Sequence, residues 1–203
     1  MSLQGGKLAG GNPANGRVEN DFYATNPVAV EMLFNSYKPK FSGNRLLEPS
    51  VGQGHILKGV ESCFPGEFNI TAVDIVDRGV PDTIVHDYLT WQTVDKFDLI
   101  ITNPPFSLAE AFCRKSMDLL TVGGGILCMF LKIQFLEGGG RERFFKQFPP
   151  KYIYVFRNRM ATWNNGQEFD VSSGKPKRWS TTMCHAWFVW EQGFTGEPTV
   201  RWL

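Results

Sequence analysis

No stretch of this 203-residue chain stays apolar for the roughly 20 positions that a helix needs to cross a bilayer. The N-terminus also lacks the apolar centre of a secretory signal. Both absences point to a cytoplasmic protein with no membrane partner. Cysteine is scarce: Cys63, Cys113, Cys128 and Cys184 are far apart in sequence. They offer neither a disulfide framework nor a CxxC pair, so reduced core thiols are expected. His55, His86 and His185 are equally scattered, and no metal site is expected. An excess of either charge is missing too, with 21 basic against 20 acidic residues. The full dinucleotide fingerprint is absent, because Gly52-Gln53-Gly54 has no third glycine. Residues 1–18 are rich in Gly and Asn and poor in apolar side chains. They read as a disordered tail ahead of a single domain, residues 19–203.

What is present is unevenly distributed. Between Lys132 and Arg178 there are ten basic and four acidic residues, in a chain whose total charge is only +1. The basic excess suits a phosphate-binding face, although solvated loops and helix faces would give the same count. Much of it falls in a long polar loop over 157–182, with Arg157, Arg159, Lys175, Lys177 and Arg178. A loop of that length is uncommon in a compact domain unless functional or mobile. Trp163 and Trp179 within it could wedge into or stack on a ligand, or simply anchor the loop.

The sharpest local feature is Asn103-Pro104-Pro105-Phe106. It ends the run Phe97 to Thr102, which is short, apolar and β-branched and therefore reads as a buried strand. Two prolines terminate that strand and stiffen the corner. The corner holds a carboxamide oxygen, an unclaimed backbone carbonyl and an aromatic ring at a strand's carboxyl end. Two acceptors converging on one point suit an exocyclic amino group, and a planar ring could stack on Phe106. A rigid loop facing water is the plainer alternative.

Other strand ends carry acids. Arg45 to Glu48 reads as a strand running into Pro49, Gly52 and Gly54 and then a helix. Glu48 is a poor partner for pyrophosphate and a better one for an ammonium or hydroxyl, which favours a cationic nucleoside over NAD. Asn69 to Ile75 is a second strand, with Asp74 about 20 residues beyond the glycines, the spacing at which a carboxylate meets a ribose diol. A strand-ending Asp in a turn would look the same. Asp82 to Leu89 gives a third strand; Asp87 could accept from an adenine amino group or cap a turn. Thr25 or Asn26 can cap the helix that Pro27 opens, and that helix start could also hold a carboxylate. A helix is expected over Ser107–Leu120 with Ser107 as its cap. Further strands are expected at Ile126–Leu131, Tyr152–Phe156 and Cys184–Trp190. Trp187 and Trp190 fall on opposite faces of the last strand, so one of them is expected to be exposed or under a loop.

Alternating strands and helices with a glycine turn make an α/β, doubly wound chain. With its strand-end residues, the sequence resembles the class I S-adenosylmethionine-dependent methyltransferases. Within them it is similar to the DNA amino-methyltransferases acting on adenine N6, of the small phage and prophage type. Asn103-Pro104-Pro105-Phe106 matches that family's (Asp/Asn)-Pro-Pro-(Tyr/Phe) motif. The resemblance implies a seven-stranded Rossmann-like methyltransferase sheet whose last strand is antiparallel, with S-adenosylmethionine as cofactor and DNA as partner. It implies that Thr25 and Pro27 lie near the methionine carboxylate, and Glu48, Pro49, Gly52 and Gly54 around the methionine moiety. Asp74 would hold the ribose, Ile75 the adenine ring and Asp87 its amino group. Asn103 and the Pro104 carbonyl would hold the substrate amine, with Pro105 stiffening the corner and Phe106 stacking on the flipped base. The basic residues of the loop would contact phosphates. RNA base-amine and protein-glutamine methyltransferases share the motif, and an inactive nucleic-acid-binding module is a further alternative. The chain departs from the family in having Thr25-Asn26-Pro27 for the usual Thr-Pro-Pro, and in showing no separate target-recognition domain.

Overall fold

A computed structural model gives the arrangement of residues 23–164, 166–171 and 174–203. The expected tail, 1–18, and the first residues of the expected domain lie outside the described residues. In chain order the strands are β1 (Tyr23–Ala24), β2 (Arg45–Glu48), β3 (Asn69–Asp74), β4 (Ile84–Val85), β5 (Leu99–Thr102), β6 (Ile126–Lys132) and β7 (Tyr152–Val155). They continue with β8 (Trp163–Asn164), β9 (Phe169–Asp170), β10 (Lys177–Arg178), β11 (His185–Glu191) and β12 (Thr199–Trp202). The helices are α1 (Pro27–Ser36), α2 (His55–Cys63), α3 (Ala109–Leu119) and α4 (Glu142–Gln147).

Eight strands form the central sheet in the order β12-β7-β11-β6-β5-β2-β3-β4. Only β11 runs against its neighbours, β6 and β7. The doubly wound α/β class is as expected, but the strand count is corrected from seven to eight. The antiparallel strand is therefore not the last: β12 follows it and pairs parallel to β7. All four residues of β12 are exposed, so it lacks the buried apolar run by which the inner strands of the sheet are recognised. The third expected strand shrinks to two exposed residues.

Alternation along the central strands fills two cores, one on each face. Leu46, Leu99, Ile101, Cys128, Phe130, Trp187 and Val189 pack against Val30 and Leu33 of α1 and Val60 of α2. Their neighbours Leu47, Ile100, Leu127, Met129, Phe188 and Trp190 pack against Phe112 of α3 and Phe144 of α4. Contrary to expectation, neither Trp187 nor Trp190 is exposed, because each face has its own helical cover. Each indole N–H finds a backbone acceptor, Ala29 O at 2.8 Å and Phe148 O at 3.0 Å.

Local details follow the residues. Asn26 caps α1, its Oδ1 accepting from Val28 N at 3.0 Å, and Pro27 fills the first turn. The helix expected from Ser107 instead starts with a 3-10 turn, Phe106–Leu108, before α3, and Ser107 makes no capping bond. The segment 157–182 is not without elements. Its β8 pairs with β1, and β9 pairs with β10 as a small antiparallel ribbon.

Chain order along the sheet reverses between β2 and β5. The crevice outside the carboxyl ends of those two strands is the usual ligand position in an open α/β sheet.

Candidate active site

A cleft opens at that reversal. Thr25, Glu48, Pro49, Gly52, Asp74, Ile75, Asp87, Asn103 and Pro105 all line it. These residues come from five separate segments of sequence, and the sheet brings them together by ending β2, β3 and β5 side by side. Pro27, Gly54, Pro104 and Phe106 are not among the lining residues. Pro27 is the first residue of α1, and Gly54 is the cap residue just before α2.

The glycine turn needs its glycines. Gly52 and Gly54 have φ of +55° and +73°, in the left-handed region that a side chain disfavours. Asp74 holds this turn: its Oδ2 accepts from Gly52 N at 2.8 Å, and its Oδ1 from Val76 N at 2.9 Å. Arg78, four residues on, binds the same Oδ1 at 3.0 Å. Asp74 is thus a clamp on the turn as well as a cleft residue, with acceptor capacity left on Oδ2. Ile75, next in sequence, is 61% exposed although it is a large aliphatic side chain in a cleft wall. It offers a dry surface to a flat ring. Asp87 Oδ1 accepts from Leu89 N at 2.9 Å.

Three buried polar atoms in the cleft have no hydrogen-bond partner among the described residues: Thr25 Oγ1, Glu48 Oε2 and His55 Nδ1. A buried unpaired polar atom is costly, and a ligand is one way of satisfying it. Burial, and then the nearby Asp74 charge, pushes the Glu48 carboxyl well above the ordinary range, partly offset by the Leu57 backbone amide. Such a group gains most from a cation placed beside it. Burial, and then the Lys58 charge, lower the His55 pKa and so favour the neutral imidazole. The arrangement fits S-adenosylmethionine: a carboxylate for its ammonium, a hydroxyl for its carboxylate, an acid at the second strand end for its ribose, and an apolar wall for its adenine. Among the described residues there is no group of three or more metal-ligating side chains.

Asn103 sits at the reversal itself, just beyond β5. Its Nδ2 donates to the Tyr23 carbonyl at 2.8 Å. A carbonyl only accepts, so this contact fixes which end of the amide is which and leaves Oδ1 as the group on offer. Ser50, in the turn after β2, supports the corner, with its Oγ 2.6 Å from Thr102 Oγ1 and 3.3 Å from the Asn103 carbonyl. Phe106 stacks beside His185 at 6.1 Å, and His185 stacks on Phe130 at 4.9 Å. Lys132 Nζ lies 4.4 Å from the Phe106 ring centre. Burial, opposed by the Met160 carbonyl and reinforced by Lys132, lowers the His185 pKa to about 4, so this column is uncharged apart from its lysine.

None of the five basic residues lines the cleft. Arg157 Nε binds the Leu203 carbonyl at 3.2 Å, whereas Lys177 and Arg178 are exposed on β10. The loop does reach the cleft elsewhere. Trp163 meets the His55 ring edge-on at 5.3 Å, and a side chain at Gly166 would collide with Gln53. Ser50, Gln53, His55 and Arg78 are cleft residues that sequence reasoning missed. Arg78, one helical turn's spacing from Asp74, and Ser50, inside the glycine turn, were the two with a usable signal.

No family model matches the chain. Among curated proteins it is 35% identical over 74 residues to type II methyltransferase M.CvrRI of Paramecium bursaria Chlorella virus XZ-6E, a match covering 32% of this chain and 19% of that protein. It is 27% identical over 111 residues to type II methyltransferase M.TthHB8I of Thermus thermophilus, covering 52% and 24% respectively. The matched region thus spans about a fifth to a quarter of the length of these relatives. Among solved structures, the methyltransferase subunit of a type I restriction-modification system from Streptococcus thermophilus aligns over 86% of this chain and 45% of its own. Its TM-score is 0.59 at 16% identity, which establishes a shared fold.

Proposed function

We propose that this chain, which has the class I methyltransferase fold, is an S-adenosylmethionine-dependent methyltransferase that modifies the N6 amine of adenine in DNA. The observation that carries the reading is the orientation of Asn103. With Nδ2 committed to Tyr23, the carboxamide presents an oxygen acceptor at the strand reversal where the cofactor cleft lies. The partial matches to DNA modification enzymes favour DNA as the substrate.

The bound cofactor supplies an electrophilic methyl group. Thr25 Oγ1 and Glu48 Oε2, the two orphaned oxygens, hold its carboxylate and ammonium. Asp74 takes the ribose hydroxyls, Ile75 the adenine face and Asp87 its amino group. Asn103 Oδ1 and the Pro104 carbonyl accept the two N–H groups of the target amine. That amine is a weak nucleophile because its lone pair is delocalised into the ring. Acceptors in the plane of its hydrogens stabilise the positive charge that builds on nitrogen during attack, and the interaction strengthens as the reaction proceeds. No general base has to act before attack; one proton leaves the nitrogen afterwards. Phe106 stacks on the flipped base and offsets part of its unstacking, which costs a few kcal/mol. Lys177 and Arg178 on the β9–β10 ribbon, with Arg157, Arg159 and Lys175, contact phosphates.

The test is incubation with methyl-labelled S-adenosylmethionine and DNA, RNA or a glutamine-bearing protein in parallel, followed by digestion and identification of the labelled base or residue. Label in N6-methyladenine from DNA is the expected result. Label confined to RNA or protein would overturn the substrate assignment, and no transfer to any acceptor would overturn the enzyme reading.

A further inference from the structure

The turn after β4 is held by a cation from α3. Lys115 Nζ donates to the carbonyls of Tyr88 at 2.5 Å, Leu89 at 3.3 Å and Trp91. It also lies 4.9 Å from the Tyr88 ring centre. The next residue on α3, Ser116, is buried and its Oγ lies 2.9 Å from the Tyr88 hydroxyl. The Tyr88 ring packs on Phe112 of the same helix at 4.8 Å. The turn is therefore bolted to one short stretch of α3.

What the turn carries gives this its meaning. Asp87 begins it, and its backbone carbonyl accepts from Trp91 N at 2.8 Å. Asp87 and Tyr88 line the cleft, whereas Lys115 does not. Three carbonyls pointing at one place repel each other and lack donors unless a cation sits between them. An ammonium, with three donors on a compact charge, fits that role better than a planar guanidinium would.

We propose that Lys115 is a positioning residue for the adenine end of the cofactor: its ammonium gathers the carbonyls of the Asp87–Trp91 turn and so sets Asp87 and Tyr88 in the cleft wall. The inference rests on the cofactor reading of the cleft. Its effect falls on cofactor binding and not on the transfer step, because the Asn103 corner is held separately, by Tyr23 and Ser50.

The experiment titrates S-adenosylhomocysteine into the wild-type chain, Lys115→Met and Lys115→Arg, and measures transfer to unmethylated genomic DNA at saturating cofactor. Lys115→Met should bind about tenfold more weakly or worse, equivalent to about 1.4 kcal/mol. Its turnover at saturation should be unchanged, and Lys115→Arg, which keeps the charge but presents it on a flat fork, should recover only part of the affinity. Should Lys115→Met fail to fold, Lys115→Gln, which keeps a donor without the charge, is read the same way. Affinity in the neutral variant equal to wild type would overturn the proposal. So would equal losses of affinity and turnover in both Met and Arg variants, the pattern of a merely structural residue. A wild-type chain that binds no S-adenosylhomocysteine would overturn the cofactor reading, and this inference with it.

Discussion

Replacing Asn103 tests the amine-acceptor geometry most directly, and two substitutions separate its parts. In Asn103→Ala the Oδ1 acceptor disappears and the Tyr23 carbonyl loses its 2.8 Å donor. The lost hydrogen bond and the unpaired carbonyl together cost about 1–3 kcal/mol of stability. That is a fraction of the roughly 5–15 kcal/mol of a typical domain, so the fold should persist. Asn103 does not hold the orphaned Thr25 and Glu48 atoms, so cofactor affinity should change by less than about threefold, or roughly 0.6 kcal/mol. Removing one preorganised group facing the developing charge typically lowers turnover by about 10² to 10³. Single-turnover transfer with labelled cofactor reads this directly, because it excludes product release. Asn103→Asp restores an acceptor but turns an oxygen towards the Tyr23 carbonyl, where two acceptors repel. It should recover part of the rate while displacing β1, seen as a lower melting temperature than wild type. If Asn103→Ala kept more than about a tenth of wild-type single-turnover rate, well short of the expected loss, the acceptor argument would be wrong.

Glu48 predicts a pH effect. Its raised pKa, from burial and then Asp74, means that the ligand-free protein keeps a proton that an exposed glutamate releases near pH 4.3 or so. The unliganded fold therefore loses stability as pH rises from that ordinary range through the raised value, since only the unfolded chain has released the proton. Cofactor ammonium requires the carboxylate, so affinity should rise with pH across the same window and binding should release a proton. Calorimetry in buffers of different ionisation enthalpy measures that proton; Glu48→Gln should abolish it, and its absence in wild type contradicts the assignment. Phe106→Ala removes a stacking surface worth about 1–3 kcal/mol per base, so kcat/KM on duplex DNA should fall about 5- to 150-fold. An unchanged value would detach Phe106 from the target base. Lys177→Gln with Arg178→Gln should flatten the slope of log affinity against log salt by about 2 if each contacts one phosphate; an unchanged slope places the DNA elsewhere.

The strands were legible where both faces are buried. Leu99–Thr102 and Ile126–Lys132 are continuous apolar runs, and burial on two faces is what such runs report. Thr199–Trp202 was missed because an exposed edge strand satisfies its backbone without needing apolar residues; its signal was only a short stretch after Gly196-Glu197-Pro198. The segment 157–182 read as loop because two-residue strands have no period to detect. For the site, the acids and glycines at strand ends were legible because chain reversal at a carboxyl edge converts sequence position into spatial position. Tyr23 was not. Its contribution is a backbone carbonyl, a group every residue has, delivered by β1 pairing with β8 some 140 positions away in sequence.

That last contact bears on how the site is assembled. Asn103 is oriented by Tyr23, Tyr23 belongs to β1, and the only strand that β1 pairs with among the described residues is β8 of the basic segment. The same segment meets His55 through Trp163 and closes against Gln53 at Gly166. The stretch bearing Lys177 and Arg178 is thus continuous in chain with the strand that helps aim the carboxamide. Residues that look like a surface appendage in sequence are, in the fold, part of the support for the Asn103 corner. Weakening the β1–β8 pair should therefore lower turnover through Asn103 as well as through nucleic-acid affinity, whereas the Lys177 and Arg178 substitutions should touch affinity alone. A Trp163→Gly variant, which removes the His55 contact and strand propensity together, separates the two: single-turnover rate at saturating DNA should drop about tenfold, consistent with a misaligned acceptor. An unaltered rate would mean that Tyr23 holds its position without β8.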